Sequence, residues 1–341
     1  MVVAPVAEER LLSAARRGDE AAFEALVAPH ERRLRAHCYR MLGSVHDAED
    51  AVQETLLRAW RALDRFEERS SLNTWLYAIS SNVCLRMIER RPARALPIDA
   101  GPPAATGERP GRPLAESVWI EACPNDLLDL DEASPEARYS RRESVELAFL
   151  ATLQHLPPLQ RAALILRDVL SYSARETAAI LETTVPSANS ALQRARKTID
   201  ERRPAVSQEE TLQALGDRRV GALVNRYAQA MESGDVDVVV ALLTEDATWS
   251  MPPASTWYRG DALVAFLAEW PLPLRWLHAP VRVNGQQAVL CYLWDDHSGV
   301  FAAHALDVLT LREDRVAEVT AFLSPSVFER LGLPLALEHP A

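Results

Sequence analysis

A chain of 341 residues, 48% hydrophobic and 25% charged, is long enough for two or three domains and too apolar for a disordered polymer. It has no run of about 18 apolar residues, which excludes a membrane-spanning helix, and its opening MVVAPVAEERLLSAARRGDE lacks the basic-then-apolar order of a signal peptide. The net charge of −11 would speak against a nucleic-acid partner if it were spread evenly. Instead residues 1–94 carry +1 and 140–208 carry +3, whereas 95–139 carry −6 and 209–341 carry −9. The four cysteines, Cys38, Cys84, Cys123 and Cys291, form no CxxC pair and read as reduced, buried thiols of a cytoplasmic protein, with no metal and no cofactor.

Residues 8–43 read as helices with a turn at Gly18-Asp19-Glu20 and a break near Pro29. Phe23, Leu26, Val27, Leu34, Tyr39, Met41 and Leu42 supply apolar contacts for a helical hairpin from Ser44 to Arg91. Its first helix opens on Ser44 with Asp47 three residues on, a capping-box-like start. It buries a stripe of Ala48, Val52, Leu56, Ala59 and Leu63. The second helix is expected from about Thr74, with Trp75, Ile79, Val83 and Met87 on its core side and Pro92 as its stop. Phe66 to Asn73 form the loop between them. Periodicity alone is compatible with an ordinary hairpin carrying solvated charges.

The phrases DAED, then QE, then SLNTWLYAI with Asn82 two residues after Ser80 resemble region 2 of the sigma-70 family, in its small extracytoplasmic-function group. The resemblance covers about the first quarter of the chain. It implies a partner, core RNA polymerase, and a role in opening promoter DNA. A base is read on its pairing edge only after it leaves the stack and enters a pocket. By this resemblance Arg69, Ser70, Asn73 and Asn82 contact the single-stranded −10 element. Trp75 and Tyr77 act as stacking surfaces, with a core role as the alternative for Trp75. Asp50, Gln53, Glu54 and Arg58 meet the polymerase clamp, or else form a solvated helix face. Arg86 stands where the family often has an acidic residue.

Residues 95–139 form a linker. PARALPIDAGPPAATGERPGRP is too rich in Pro, Ala and Gly to hold regular structure. The acidic stretch after it, with Trp119, Ile120, Leu127, Leu128 and Leu130, reads either as a disordered strip or as a docking segment anchored by Trp119.

Residues 140–204 resemble sigma region 4. Pro157-Pro158 opens a helix that runs to Leu170. Ser173 and Glu176 form a capping box for a short helix to Leu181, Glu182-Thr183-Thr184 is a turn, and a second helix runs from about Pro186 to Arg202. This is a helix-turn-helix in which Val185, Ala188, Leu192, Ala195 and Ile199 are expected inside. Ser187, Asn189, Ser190, Ala191, Arg194, Arg196 and Lys197 are the candidates for the −35 element in the major groove. Asn189 and Ala191 stand where the family commonly has basic residues.

Residues 212–341 read as helices followed by strands. Helices are expected at 220–231, Val236–Leu243 and Asp261–Trp270. Strands are expected at Asp246–Pro252, Leu274–Asn284, Gln286–Trp294, Val300–Arg312 and Arg315–Leu323, with turns at Gly285 and Glu313-Asp314. EDATWSMPP and TWYRG resemble the SnoaL-like polyketide cyclases of the nuclear-transport-factor-two-like superfold. Such a cone would be lined by Trp249, Met251, Trp257, Tyr258 and His304. His304 and Asp307 are an odd number of residues apart and are expected on opposite faces of one strand, so they would not form a dyad. His278 has no named partner. A non-catalytic pocket is favoured over an enzyme, because this fold hosts many functions.

The whole chain thus reads as all-α sigma region 2 (8–94) and region 4 (140–204) modules, joined by a Pro-rich acidic linker (95–139) and followed by an α+β cone (212–341). It is expected to bind core RNA polymerase and promoter DNA and to direct initiation. The last domain is expected to pack on regions 2 and 4, to regulate in cis, and to take a small molecule of unread identity. The alternative is a cyclase or isomerase-type enzyme fused to a DNA-binding regulator.

Overall fold

A computed structural model describes residues 5–91, 93–114, 118–128, 143–202 and 206–338. Two compact units divide it. One is formed from the described parts of 1–93, 126–132 and 152–202, the other from those of 94–125, 133–151 and 203–341.

The first unit is helical. It holds α1 (Pro5–Arg16), α2 (Glu20–Leu42), α3 (Val45–Ala62) and α4 (Leu72–Glu89). Asp19 caps α2 by accepting from the Ala22 N–H at 3.0 Å. Pro29 lies inside α2 and does not break it. Both halves of the helix bury apolar side chains, Phe23, Leu26 and Val27 before the proline and Leu34, Ala36 and Cys38 after it. Each of the Phe, Leu and Val side chains is worth about 1.5–3 kcal/mol, so packing outweighs the one hydrogen bond that proline forgoes. Ser44 caps α3, accepting from the Asp47 N–H at 3.0 Å, and Asp47 is paired with Arg91.

The second helix of the hairpin starts earlier than the expected Thr74, at Leu72 with Ser71 as its cap. Its buried stripe also differs from the expected one. Leu72, Leu76, Tyr77, Ser80, Val83 and Cys84 face the core, while Trp75, Ile79 and Met87 are only half-buried. Pro92 and its stopping role lie outside the described residues.

The same unit contains the end of α5 (Leu147–Gln154), then α6 (Pro158–Leu164) continued by a π-turn (Ile165–Val169), α7 (Ala174–Ile180) and α8 (Val185–Arg202). Ser173 and Glu176 form the expected capping box. Ala188, Leu192, Ala195 and Ile199 are buried as expected, whereas Val185, at the helix start, is exposed. Arg161 fastens the unit internally. Buried at 2% exposure, it donates to the carbonyls of Met41 (2.5 Å), Gln154 (3.0 Å) and Leu156 (3.3 Å) and to Gln154 Oε1 (2.6 Å). Met41 belongs to α2, so this side chain joins the first helices to those after residue 152.

The second unit is α+β. Helices α9 (Gln208–Leu215), α10 (Asp217–Ser233), α11 (Val236–Leu242) and α12 (Gly260–Glu269) go with strands β1 (Leu243–Ser250), β2 (Trp257–Arg259), β3 (Trp276–Val283), β4 (Gln286–Asp295), β5 (Val300–Arg312) and β6 (Arg315–Phe322). The short α13 (Ser326–Arg330) and β7 (Ala336–Leu337) follow. The sheet order is β2-β1-β6-β5-β4-β3, with β7 on β5. Only β1 and β6 run parallel among these pairs. Val224, Tyr227, Trp249, Phe266, Leu309 and Val319 meet in one core between helices and sheet. Asn284 and Gly285, both at positive φ, make the β3–β4 turn. Gly234 ends α10 at φ +69°, where a Cβ would lie 2.9 Å from the Leu272 carbonyl oxygen.

The linker is neither free nor structureless. Its described residues 94–125 belong to the second unit. Pro-rich chain offers few donors, so its backbone is tied down by individual bonds to the domain. The Trp257 indole donates to the Gly101 carbonyl (2.8 Å) and the Ala104 N–H to the Trp257 carbonyl (2.8 Å). The Tyr258 hydroxyl donates to the Glu108 carbonyl (2.9 Å), and the Cys123 N–H to Asn284 Oδ1 (2.8 Å). Trp119 and Ile120 are buried, at 4% and 0%, so the docking alternative holds for Trp119. Residues 115–117 and 129–142, with Leu130 and most of the acidic strip, lie outside the described residues.

Candidate promoter interface and cavity

The residues predicted for the −10 element divide in two. Arg69 and Ser70 are exposed on the loop, with Arg69 paired to Glu67. They line a surface groove of about 490 Å³ together with Leu12, Phe66, Ser71 and Leu72, and with the carboxylates Glu8, Glu9 and Glu68. The remaining four are engaged. Asn73 donates to the Tyr172 hydroxyl at 3.0 Å and lies 3.1 Å from His30 Nδ1. Asn82 donates to Glu182 at 3.0 Å. Trp75 stacks on Phe66 with centroids 4.8 Å apart. Tyr77 is a correction: it is buried at 3%, edge-on to His37 (5.2 Å) and Tyr172 (5.6 Å), and offers no free stacking face. It shares the buried face of α4 with Leu76, Ser80 and Cys84. Burial pushes Tyr172 up to about 12 and His37 down to about 3, so both are neutral near pH 7.

On α3, Asp50 and Gln53 are exposed, and half-buried Glu54 accepts from half-buried Arg58 at 2.6 Å. Leu57 lies among them at 51% exposure. A leucine at i+3 and i+4 from Glu54 and Gln53, off the buried stripe, is the sequence signal that marks it as part of this face.

On α8, Asn189, Arg194, Arg196 and Lys197 are exposed, and Ser187 and Ser190 are half-buried. Arg194 donates to Ser190 (2.8 Å), Arg196 forks onto Asp168 (2.9 and 2.7 Å), and Lys197 lies 3.9 Å from Glu201. Ala191 is a correction: it is 0% exposed and belongs to the core stripe. The apolar face here is wide enough to take positions 188, 191, 192 and 195 together. Gln193, exposed one turn from Asn189, is the polar residue missed on the outer face.

The second unit holds a pocket of about 180 Å³ that is open to solvent on one side. Trp249, Met251 and His304 line it as predicted, while Trp257 and Tyr258 hold the linker instead. The parity argument for His304 and Asp307 fails. Cys291 pairs with Ala305 but Tyr292 pairs with Ala303, so His304 is the extra residue of a β-bulge. The bulge resets the alternation, and both residues line the same cavity. Asp307 is buried and accepts from the Tyr227 hydroxyl at 2.8 Å. Burial pushes its carboxyl up, while Tyr227, His278 and Cys291 pull it back. His278 has a partner after all: its Nδ1 lies 3.6 Å from Glu232, whose carboxyl it holds low, and its backbone N–H donates to the same oxygen at 2.6 Å. Pro110 of the linker completes the wall, and Arg109 lies over the Trp270 ring at 5.4 Å.

Residues 26–94 match the family described as Sigma-70 region 2, residues 146–199 Sigma-70 region 4, and residues 224–319 the SnoaL-like domain. Over 331 residues the chain is 43% identical to the ECF RNA polymerase sigma factor SigG of Mycobacterium tuberculosis, covering 94% of this chain and 86% of that one. It is 29% identical over 193 residues to the RNA polymerase sigma-H factor of Pseudomonas aeruginosa, covering 57% of this chain and 92% of the relative. Among solved structures, the Mycobacterium tuberculosis extracytoplasmic function sigma factor SigJ shares the fold, with a TM-score of 0.53 at 24% identity, covering 91% of this chain and 99% of that one. The chain belongs to the extracytoplasmic-function sigma factors of RNA polymerase. It carries helical sigma regions 2 and 4 and, C-terminal to them, an α+β SnoaL-like domain. Among the described residues no helix is long and apolar enough to cross a membrane.

Proposed function

We propose that the chain binds core RNA polymerase through the α3 face of Asp50, Gln53, Glu54 and Arg58, with Leu57 at its centre. It then directs initiation at promoters read at two places. Arg69, Ser70, Asn73 and Asn82 take the −10 strand, and Asn189, Gln193, Arg194, Arg196 and Lys197 meet the −35 duplex. In the free chain Asn73 and Asn82 are occupied by Tyr172 and Glu182 of region 4, so the −10 set becomes available only when those contacts open.

The C-terminal domain regulates this step in cis, and its cavity takes a small molecule. One observation carries the regulatory reading: the described chain between the two promoter modules, residues 94–125, belongs to the compact unit of the SnoaL-like domain. Anything that changes how that domain holds the linker changes the tether between regions 2 and 4.

Asn284 is the place to test it. Its side chain accepts from Cys123 N–H and donates to the Val145 carbonyl, each at 2.8 Å. Its backbone is at φ +53°, so Asn284→Gly removes the side chain without backbone strain. In run-off transcription with purified core polymerase, the variant should change transcript yield at least about threefold, since two buried bonds of about 1 kcal/mol each are lost. A rise would mean that the anchored linker restrains, a fall that it assists, and unchanged yield would discard regulation through this anchor.

A further inference from the structure

We infer that the cavity of the SnoaL-like domain is a site for a small monoamine built on one ring, seated with its ammonium on Asp307 and its ring among Trp249, Phe266 and Trp276. The inference rests on the reading of the cavity as a ligand site and names the class of ligand.

Size sets the first limit. A cavity of about 150 Å³ is enough for benzene, so about 180 Å³ suits one ring with a short side chain. The walls set the second. They are aromatic and thioether surface with few polar atoms, suited to a flat apolar body.

The polar end decides the head group. Asp307 is the one carboxyl among the described residues that line the cavity. A carboxylate has about four acceptor positions; the Tyr227 hydroxyl fills one at 2.8 Å and the Cys291 thiol bears on another. The remaining positions can take a donor. Burial disfavours the charged form and His278 offsets this only in part, whereas an ammonium supplies both an adjacent charge and a charge-assisted hydrogen bond. The aromatic walls add attraction for a cation, whereas an anionic ligand would meet Asp307 as a like charge. The two imidazoles of the wall do not oppose this. His278 faces the Glu232 carboxylate, 3.6 Å from its Nδ1 and too long for a hydrogen bond. His304, exposed and edge-on to Trp276 at 5.4 Å, has its pKa lowered by partial desolvation, which disfavours a positive charge there. Arg109, the nearby cation over Trp270, is exposed to water and therefore screened.

Calorimetric titration of the full chain with three probes of one shape, 2-phenylethylamine, p-cresol and ethylbenzene, tests the class. The amine should bind at least about tenfold more tightly than ethylbenzene, the difference a charge-assisted bond makes. Asp307→Asn should remove that margin while ethylbenzene binding persists, which also reports that the variant is folded. If the variant does not fold, the ranking of the three probes on the unaltered chain still decides. An amine that binds no better than ethylbenzene, or p-cresol binding as tightly as the amine, overturns the amine class and leaves the ligand site standing. Binding of none of the three overturns the ligand site and the class together. Neither outcome depends on transcription, so regulation in cis is judged separately.

Discussion

The two surfaces proposed to read the promoter lie in one helical unit and are in opposite states. On α8, Asn189, Gln193, Arg194, Arg196 and Lys197 are exposed, and their pairings are to residues of region 4 itself, such as Ser190, Asp168 and Glu201. On α4, Asn73 and Asn82 point their amides at Tyr172 and Glu182, which come from region 4 about a hundred positions later. A duplex can dock on an exposed helix face with little rearrangement, but a flipped base needs an empty pocket. The face proposed for the duplex is thus open, and part of the face proposed for the strand is closed by contacts from region 4.

Removing the fastening should break this comparison most strongly. Arg161→Met leaves the carbonyls of Met41, Gln154 and Leu156 without their donor, and should lower the unfolding free energy by about 3 kcal/mol in urea melts followed by circular dichroism.

Acid should weaken the closed side next. His37 lies in the core under α4, 3.0 Å from Ser81. Its pKa is lowered by burial to about 3, against 6.5 for the free side chain. The stability it contributes is therefore full above pH 6.5 and falls away as pH drops from there toward 3. By pH 5 the loss should be about 2 kcal/mol, and His37→Gln should flatten the pH profile over that interval.

Two milder changes sharpen the comparison. Tyr172→Phe combined with Glu182→Ala frees both amides at a cost of about 1 kcal/mol. It should raise the affinity for a single-stranded −10 oligonucleotide about fivefold in fluorescence anisotropy, with duplex binding unaltered. Lys197→Ala should act on the open face alone, weakening duplex binding evenly across sequences and reducing its salt slope by about 1.

Much of this architecture was legible in the sequence because its signals are local. Ser44, Ser173 and the Gly285 and Glu313 turns fix where elements begin and end, and the strands from Gln286 to Phe322 fall within a residue or two of their expected bounds. What was misread depended on register or on distant partners. The α4 stripe runs through Leu72, Leu76, Tyr77, Ser80 and Cys84 rather than Trp75, Ile79 and Met87, and so buries Tyr77. The bulge at His304 reversed a face assignment made from strict alternation. A wide apolar face absorbed Ala191. The linker composition correctly denied it regular structure over most of its length, but composition does not show that a folded neighbour will supply the hydrogen bonds its prolines lack.

The most direct measurement locks the closed side shut. In a chain with Asn82→Cys and Glu182→Cys, the two thiols are joined by a short bis-maleimide; the native cysteines Cys38, Cys84, Cys123 and Cys291 are all buried. Run-off transcription with core polymerase is then compared with the same double-cysteine chain left un-cross-linked. If the region 4 contact closes the −10 set, the cross-linked chain yields no promoter-specific transcript while the un-cross-linked chain keeps measurable activity. A cross-linked chain as active as the un-cross-linked one would contradict it.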